Sequence, residues 1–413
     1  MKPQDTLPLL RPIEVIPQGE GEEQIFILRD PQQLSDQCLT VSKPVLFCLQ
    51  YFDGQTQYAT LDEAWHSATN GQHLEVEQLQ QVIDELDCVF LLFNDRSRER
   101  GEDLRRDFLA ASARPHRFGA VADEVKRALD DCYLRAELPL PKNIAFDSDK
   151  LALLIAPHID YYRGAAAWAQ AYQEVKRFFS GEVAVVLGTN HQYHEELICL
   201  TKKSYDTPFG EVQTDAALVE ELAQALPFDA FHDELNHRDE HSIELAVTAL
   251  KHLMGDSCPR VVPVLCGNLE DFIHSETDPR TNLNVRAFHE ALQRITTREG
   301  KRLLVIASVD FAHLGPQFGD EQEVTDEQLS ACLEQDRQMM QDIVDGQAEI
   351  FFKRLVDERN RRHVCGAAPI YHALSCTKTD RILRTSLHYW KGEDGFAAVT
   401  FGAMSLARPG GGN

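Results

Sequence analysis

The chain has 413 residues, of which 43% are apolar and 26% are charged, so it is typical of globular proteins and long enough for two or three domains. Its formal net charge of −25 repels phosphate backbones and anionic membrane surfaces, and we expect neither nucleic acid nor a membrane as a partner. The ten cysteines contain no CxxC pair, and no apolar run approaches the ~18–20 residues that span a bilayer. We expect a cytoplasmic protein with free thiols.

The first 95 residues predict a small separate domain. IFILRDP indicates a short strand that ends at Pro31, and TLDEAW predicts a helix capped by Thr60. Residues 76–86 carry apolar side chains at helical spacing and run into VFLLF (89–93), which is typical of a strand. Short helices packed with a terminal β-wing satisfy this pattern, so residues 1–95 are expected to form an α+β, winged-helix-like domain.

Residues 96–144 are expected to be a charged linker and one helix, and residues 145–413 the main domain. The helix carries Val125, Leu129 and Cys132 on one face. After residue 145, four continuous apolar runs alternate with helical patterns: LALLIAP, EVAVVLG, RVVPVLCG and RLLVIAS. Such runs are the signature of strands covered on both faces, which predicts an α/β fold with a mixed, mostly parallel sheet sandwiched by helices. The last segment, 386–406, predicts a hairpin at a sheet edge.

Three of these apolar runs end in histidine. LALLIAP leads into His158, EVAVVLG into His191, and RLLVIAS into His313 with Asp310 before it. Ligands of open α/β sheets bind beyond the carboxyl ends of the strands, so these side chains should share one rim.

Two further elements could join them. A helix expected to begin near Ser242 has Glu240 and His241 at its positive end. Cys365 precedes Gly366 and another helix start, where the thiol pKa should be lowered and the thiol is a better ligand or nucleophile.

Each residue also has an ordinary structural interpretation. Cys365 alone could fill a core, Asp310 could bond backbone amides, and Glu240 and His241 could satisfy a helix start. Five other histidines are expected to be structural or solvated: His194, His232, His237, His363 and His372. The coincidence of three strand ends favours a metal site of two imidazoles and one anionic ligand, either carboxylate or thiolate. A thiolate would favour zinc, copper or iron, and the remaining Asp310, His313 and His241 would orient ligands or donate protons.

Six blocks in order carry a resemblance to a known family: APHIDYYRG, LGTNH, SYDTPFGEVQTD, DEHSIE, SVDFAHLG and CGAAPI. The chain resembles the MEMO family, component B of the AmmeMemoRadiSam gene neighbourhood, whose fold is similar to the class III (LigB-type) extradiol dioxygenases. The resemblance implies that His158, His191 and Cys365 bind iron or copper, with Asp310 and His313 in the same pocket and His241 on its wall.

The resemblance also has departures. The chain has PHIDY where the family usually has PHAGY, and GTNH where the family usually has GPSH. Asp160 and Asn190 are therefore departures from the family pattern, and they could change what is bound. In the dioxygenases a carboxylate completes the two-histidine set, and a thiolate in its place changes the electronics of the metal and is prone to oxidation.

The N-terminal part resembles PqqD-type peptide-binding domains in LRDP, YFDGQTQYATLDEA and VEQLQQVIDELDCVFLLF. The alternative is a helical appendage that stabilises the main domain or a dimer.

The residue patterns, together with what the two resemblances imply, leave three functions open. The first is a non-haem, metal-dependent redox enzyme related to the dioxygenases, acting on a small molecule or peptide. The second is a non-catalytic metal or peptide carrier that works with a radical-SAM protein and an AMMECR-type protein. The third is a metal-dependent hydrolase that uses a bound ion, zinc included, to activate water. A homodimer is compatible with each of them.

Overall fold

The computed structural model describes residues 2–19, 24–35, 37–69, 71–117 and 122–409. The chain divides into two compact units, residues 1–111 and residues 112–413. None of the helices in the described ranges combines the length and the apolar character needed to cross a bilayer.

The first unit is a three-stranded antiparallel sheet with short helices. Its elements are β1 (Glu14–Gln18), β2 (Ile25–Arg29), β3 (Leu39–Ser42), α1 (Lys43–Leu49), α2 (Tyr58–Ala68), α3 (Val76–Cys88) and α4 (Asp95–Ala110). The strands lie in the order β1-β2-β3, and Leu28, Leu61 and Leu86 are fully buried in a common core. A small N-terminal unit with its own sheet is therefore present, as the sequence predicts, and in the structure it includes α4 and extends to residue 111.

Two local predictions in the first unit are wrong. Thr60 does not cap α2, because the helix begins at Tyr58 with Gln57 at the N-cap position and Thr60 therefore lies inside the first turn. The segment 89–93 forms no strand. Phe90 has a φ of 60° and the Leu91 N–H donates to the carbonyl of Leu86, so the chain terminates α3 with a left-handed turn.

The second unit alternates strands and helices. Its elements are β4 (Ala113–Arg114), α5 (Ala122–Arg135), β5 (Leu151–Ala156), α6 (Ala165–Phe178), β6 (Val183–Thr189), β7 (Ile198–Leu200), β8 (Ser204–Tyr205), α7 (Ala216–Gln224), α8 (His241–Met254), β9 (Arg260–Cys266), α9 (Glu270–His274), α10 (Leu283–Glu299), β10 (Leu303–Ser308), β11 (His313–Leu314), α11 (Asp326–Val344), α12 (Ala348–Glu358), α13 (Ala367–Cys376), β12 (Arg381–Lys391) and β13 (Ala398–Ala407). The four continuous apolar runs of the sequence are β5, β6, β9 and β10.

The central sheet of this unit has the strand order β11-β13-β5-β10-β6-β9-β7, and β12 pairs with β13. Strands β5, β10, β6 and β9 are parallel, whereas the others join antiparallel. One face packs against α7, α10, α12 and α13 and the other against α5, α6 and α8, which explains why the four runs are apolar throughout. The mixed, mostly parallel α/β sheet and the terminal β12–β13 hairpin are therefore confirmed, with β12 outermost.

The strand order also places the functional rim. Strand β10 lies between β5 and β6, with Ser308 opposite Ala156 on one side and Gly188 on the other. The three strands therefore end at the same level, and the residues that follow them meet beyond their carboxyl ends.

Candidate metal centre

The ends of β5 and β10 are tied together by Asp310. The Oδ1 atom of Asp310 accepts the backbone N–H groups of His158 and Ile159 at 3.1 and 3.2 Å, and its Oδ2 atom lies 3.7 Å from His158 Nε2. Asp310 and His158 are both almost completely buried. Asp310 thus fixes the turn that carries His158 and also faces its imidazole.

The rings of His158, His191 and His241 converge above this rim. Their centroids lie 5.0–5.2 Å apart in all three pairs. A nitrogen of each ring lies within 4.8 Å of a nitrogen of the other two, so the three residues could hold a metal ion.

The imidazoles of the rim are anchored through Nδ1. His158 Nδ1 lies 3.1 Å from the carbonyl oxygen of Ser308. His191 Nδ1 and His241 Nδ1 lie 3.0 and 3.2 Å from Glu240 Oε1. An acceptor at Nδ1 favours the tautomer with the proton there and leaves the Nε2 lone pair for a ligand, as in most metal-binding histidines. His313 has the same arrangement, with Nδ1 3.2 Å from the carbonyl of His363.

Cys365 enters the rim from the start of α13. Its Sγ atom lies 3.3 Å from His158 Nε2 and 3.5 Å from the carbonyl oxygen of Asp310. Gly366 makes this approach possible, because a Cβ there would lie 2.6 Å from the Asp310 carbonyl oxygen. The donors at this rim, anchored imidazoles and a thiol, are of the kind that binds zinc, copper or iron.

The prediction of a lowered pKa for Cys365 is wrong for the protein without a metal. Burial raises the pKa of the thiol, and the neighbouring Asp310 carboxylate acts in the same direction, against the hydrogen bond with His191. The start of α13 does not outweigh this desolvation. A metal ion that binds Cys365 must therefore displace its proton.

Glu240 organises two of the histidines. Its carboxylate accepts the His191 backbone N–H at 2.9 Å and lies against the His191 ring, while it also caps α8 through the Ser242 N–H at 3.0 Å. Burial opposes ionisation of Glu240, yet His191 and His241 hold its pKa well below the usual range. The same pair acts in reverse on His191: burial lowers its pKa, but Glu240 and Cys365 raise it well above 6.5. Without a metal the ring therefore carries a proton on both nitrogens, and an ion that binds Nε2 must displace one of them. Glu240 therefore caps α8, as considered from the sequence, and it also orients His191.

Burial shifts the pKa values of the two remaining rim residues in opposite directions. Burial raises the pKa of Asp310 to about 6. Burial and the charge of His191 lower the pKa of His313 to about 4. At neutral pH His313 is therefore a neutral imidazole, and Asp310 is a carboxylate that titrates close to neutrality.

An open cavity of about 890 Å³ lies above these groups. It is lined by the rim histidines, Asp310 and Cys365, and by residues that the sequence did not single out as site residues, including Tyr162, Phe318 and His363. The Phe318 ring packs edge-on against His313, with 4.8 Å between the centroids. His363 stands two positions before Cys365, a spacing that could have signalled its place.

The two departures from the family pattern have local partners. Asp160 accepts the backbone N–H groups of Tyr162 and Arg163, both at 3.0 Å, and pairs with the Arg163 side chain, so its charge at the cavity wall is compensated. Asn190 is buried, and its side-chain oxygen accepts the Gln192 N–H at 3.2 Å.

The histidines expected to be structural or solvated are not all alike. His237 is buried with Nδ1 3.0 Å from the Tyr205 hydroxyl, and His372 is buried with Nδ1 2.8 Å from His289 Nε2. His194 bonds the carbonyl of Gln192. His363, in contrast, belongs to the cavity wall.

Comparison with known proteins gives a consistent result. The sequence model of the family described as Memo-like protein matches residues 118–398. A MEMO1 family protein of Aquifex aeolicus is 26% identical over 320 residues, which cover 76% of this chain and 77% of that protein. A MEMO1 family protein of Methanocaldococcus jannaschii is 27% identical over 262 residues, or 62% of this chain and 82% of the relative. The match covers the second unit from α5 to the start of β13.

Proposed function

The chain belongs to the family of Memo-like proteins, and from that premise we propose that it is a metal-dependent redox enzyme whose ion is bound by His158, His191 and Cys365. The observation that carries the proposal is the convergence of anchored imidazoles and a thiol at one rim. His158 and His191 each have an acceptor at Nδ1. Cys365 Sγ lies 3.3 Å from His158 Nε2. A bound iron or copper ion supplies one-electron redox chemistry at this position.

The residues around the ligands have separate roles in this proposal. Asp310 and His313 hold and transfer protons beside the ligand atoms, because one titrates near neutrality and the other is a neutral imidazole. His241 forms the wall next to His191 and offers a further nitrogen within reach of the ion. The open cavity admits a small molecule or the side chain of a peptide.

Metal analysis of protein purified without a chelating tag tests the proposal. We expect about one iron or copper ion per chain, followed by oxidation of catechol-type substrates under air. A Cys365→Ala variant should lose most of the metal, whereas a Cys258→Ala variant, changed at a cysteine outside the cavity lining, should retain it. A parent protein that binds none of iron, copper or zinc stoichiometrically contradicts the proposal.

A second candidate function is capture of a peptide or partner by the N-terminal unit. A cavity of about 360 Å³ lies among α1, α2 and α3, with an apolar lining that includes Val45, Trp65 and Val82. In the described ranges β3 pairs with β2 only, which leaves a strand edge that an extended peptide could join. The unit would then recruit a peptide substrate or a radical-SAM or AMMECR-type partner to the metal-binding unit.

A binding experiment distinguishes this second function from the first. The full chain and a Val45→Asp/Val82→Asp variant are compared for capture of candidate partner proteins and peptides. We expect capture by the parent and its loss in the variant, with metal content unchanged. Equal capture by both proteins contradicts a peptide site in this cavity.

A further inference from the structure

A fully buried arginine precedes the region that the family model matches. Arg114 lies in β4, four residues before the match begins at 118, and its side chain has no exposed surface. Strand β4 pairs parallel with β8, which places Arg114 opposite Tyr205. The guanidinium lies 5.6 Å from the Tyr205 ring centroid. A buried guanidinium is costly unless its donors are satisfied, so its partners indicate what the residue does.

The partners of Arg114 surround the start of α8. Its Nε atom donates to the carbonyl of His237 at 2.9 Å, and its Nη2 atom donates to the carbonyl of Glu240 at 3.0 Å. The Nη1 atom donates to the carbonyl of Pro115 at 2.9 Å and pairs with the buried carboxylate of Glu244. One rigid guanidinium thereby joins the short 3-10 helix before α8 (Glu234–Arg238) to the first turn of α8, a geometry that a lysine could not reproduce.

The next residues of the chain reinforce this contact. The Arg117 backbone N–H donates to Glu244 Oε1 at 2.7 Å, and the Arg117 side chain pairs with Asp239 at 2.8 Å. His116 Nδ1 lies 2.8 Å from the same Glu244 oxygen. We call residues 114–117 the strap. The strap holds residues 237–244 at both the backbone and the side chains.

The segment held by the strap carries two residues of the metal centre. Glu240 positions the ring of His191, and His241 is the third imidazole of the rim. We propose that Arg114 is a positioning residue for the metal centre: it fixes the Glu240 main chain, and through it the carboxylate that orients His191. This inference rests on the proposed metal-binding function, because it concerns the geometry of that same site.

Outer partners of metal-binding histidines typically affect metal affinity by roughly 10–100-fold when they are removed. Arg114 lies one step further out, but it acts on the backbone of such a partner. Its loss frees the main chain of Glu240, while every ligand and Glu240 itself remain in the sequence. We expect the loss of Arg114 to weaken Co²⁺ binding about tenfold and to alter the visible ligand-field spectrum of the bound ion.

Co²⁺ titration of the full-length chain, stripped of metal, tests the proposal. The single variant Arg114→Met leaves the buried carboxylate of Glu244 without its arginine partner and could fail to fold. The Arg114→Met/Glu244→Gln variant removes both charges and keeps an acceptor for the Arg117 N–H. An Arg114→Lys variant keeps the positive charge but cannot bond the carbonyls of both His237 and Glu240 in the same way, and it should show an intermediate loss of affinity.

Arg384→Met is the matched control. Arg384 pairs with the buried carboxylate of Glu174 on α6, and neither residue lines the cavity. We expect this control to lose thermal stability and keep the parent's Co²⁺ affinity and spectrum. Parent-like affinity and spectrum in both Arg114 variants would overturn the proposal, and so would an equal loss in Arg384→Met. A parent chain that binds neither Co²⁺ nor any of iron, copper and zinc would overturn the proposed function itself, independently of the role of Arg114.

Discussion

Glu240→Gln isolates the carboxylate that holds His191 without removing a ligand. Glu240 Oε2 accepts the His191 backbone N–H at 2.9 Å, while Oε1 lies 3.0 Å from both His191 Nδ1 and the Ser242 N–H. An amide presents only one oxygen, so its NH2 group must face at least one of these donors. The most economical placement keeps the oxygen at the Oε1 position and leaves the His191 backbone N–H without an acceptor.

The expected loss of metal affinity follows from these bonds. A buried donor left unsatisfied costs about 1–3 kcal/mol, and the surviving bond to Nδ1 is no longer assisted by a charge. Replacement of a carboxylate behind a metal-binding histidine typically lowers affinity roughly 10–100-fold, which corresponds to about 1.4–2.8 kcal/mol. These two energies agree, and we expect Glu240→Gln to raise the Kd for metal roughly 10–100-fold.

The assay is competition with a chromophoric chelator for Zn²⁺ or Co²⁺ at a fixed pH. Asp215→Asn is the matched control, because Asp215 caps α7 through the Leu218 N–H at 3.1 Å and contacts no residue of the rim. We expect the control to keep the parent's Kd. An unchanged Kd in Glu240→Gln would refute the role of this carboxylate.

Three further predictions address the ligands, the proton-transfer residues and a buried histidine pair. His158→Ala should lose metal and turnover together, whereas His313→Ala should keep the parent's metal affinity and lose turnover; equal loss of metal in both variants would show that the roles are wrongly assigned. Cys365→Ser should abolish the sulfur-to-metal charge-transfer band of the copper-loaded protein, and a retained band would exclude thiolate ligation. Burial lowers the pKa of His289 from 6.5 to about 4, so the folded chain binds fewer protons than the unfolded chain in this interval. Because of this residue, the free energy of unfolding should fall by about 3 kcal/mol as the pH decreases from 6.5 to about 4, and this loss is absent above pH 6.5. In His289→Gln, urea unfolding at pH 7 and pH 4.5 should show a correspondingly smaller difference; the parent's difference retained in the variant would contradict this.

The parallel sheet could be predicted because burial on both faces leaves a direct mark on the sequence. A strand such as β10 has no solvent-exposed side, so its residues are apolar without alternation, and the run stops where Ser308 reaches the rim. The rim histidines follow from the same logic, since parallel strands end at a common level. Both features can be recognised from the spacing of apolar residues in a run and from the position at which that run ends. Both signals are local in the sequence.

The predictions that were wrong concern competition between local effects. Phe90 lies in an apolar run that favours a strand, but the end of α3 requires a left-handed turn there. At Cys365 the helix start favours the thiolate, but burial has the larger effect. Sequence shows that both effects exist and does not show their relative size.

Other features could not be predicted because they join distant segments. Glu240 meets His191 across 49 positions, and Arg114 meets Glu240 across 126. A buried arginine in a short strand has no distinguishing pattern, since its significance comes entirely from the carbonyls that it contacts. Such pairings become visible only when the fold brings α8 against β4 and β6.

The identity of the ligands is the central claim, and anomalous diffraction at the iron, copper and zinc edges tests it most directly. Crystals of the full chain purified without a chelating tag should show one peak within bonding distance of His158 Nε2, His191 Nε2 and Cys365 Sγ. A peak bound by His158, His191 and His241, with the Cys365 sulfur outside bonding distance, would contradict the account, as would the absence of a peak at every edge.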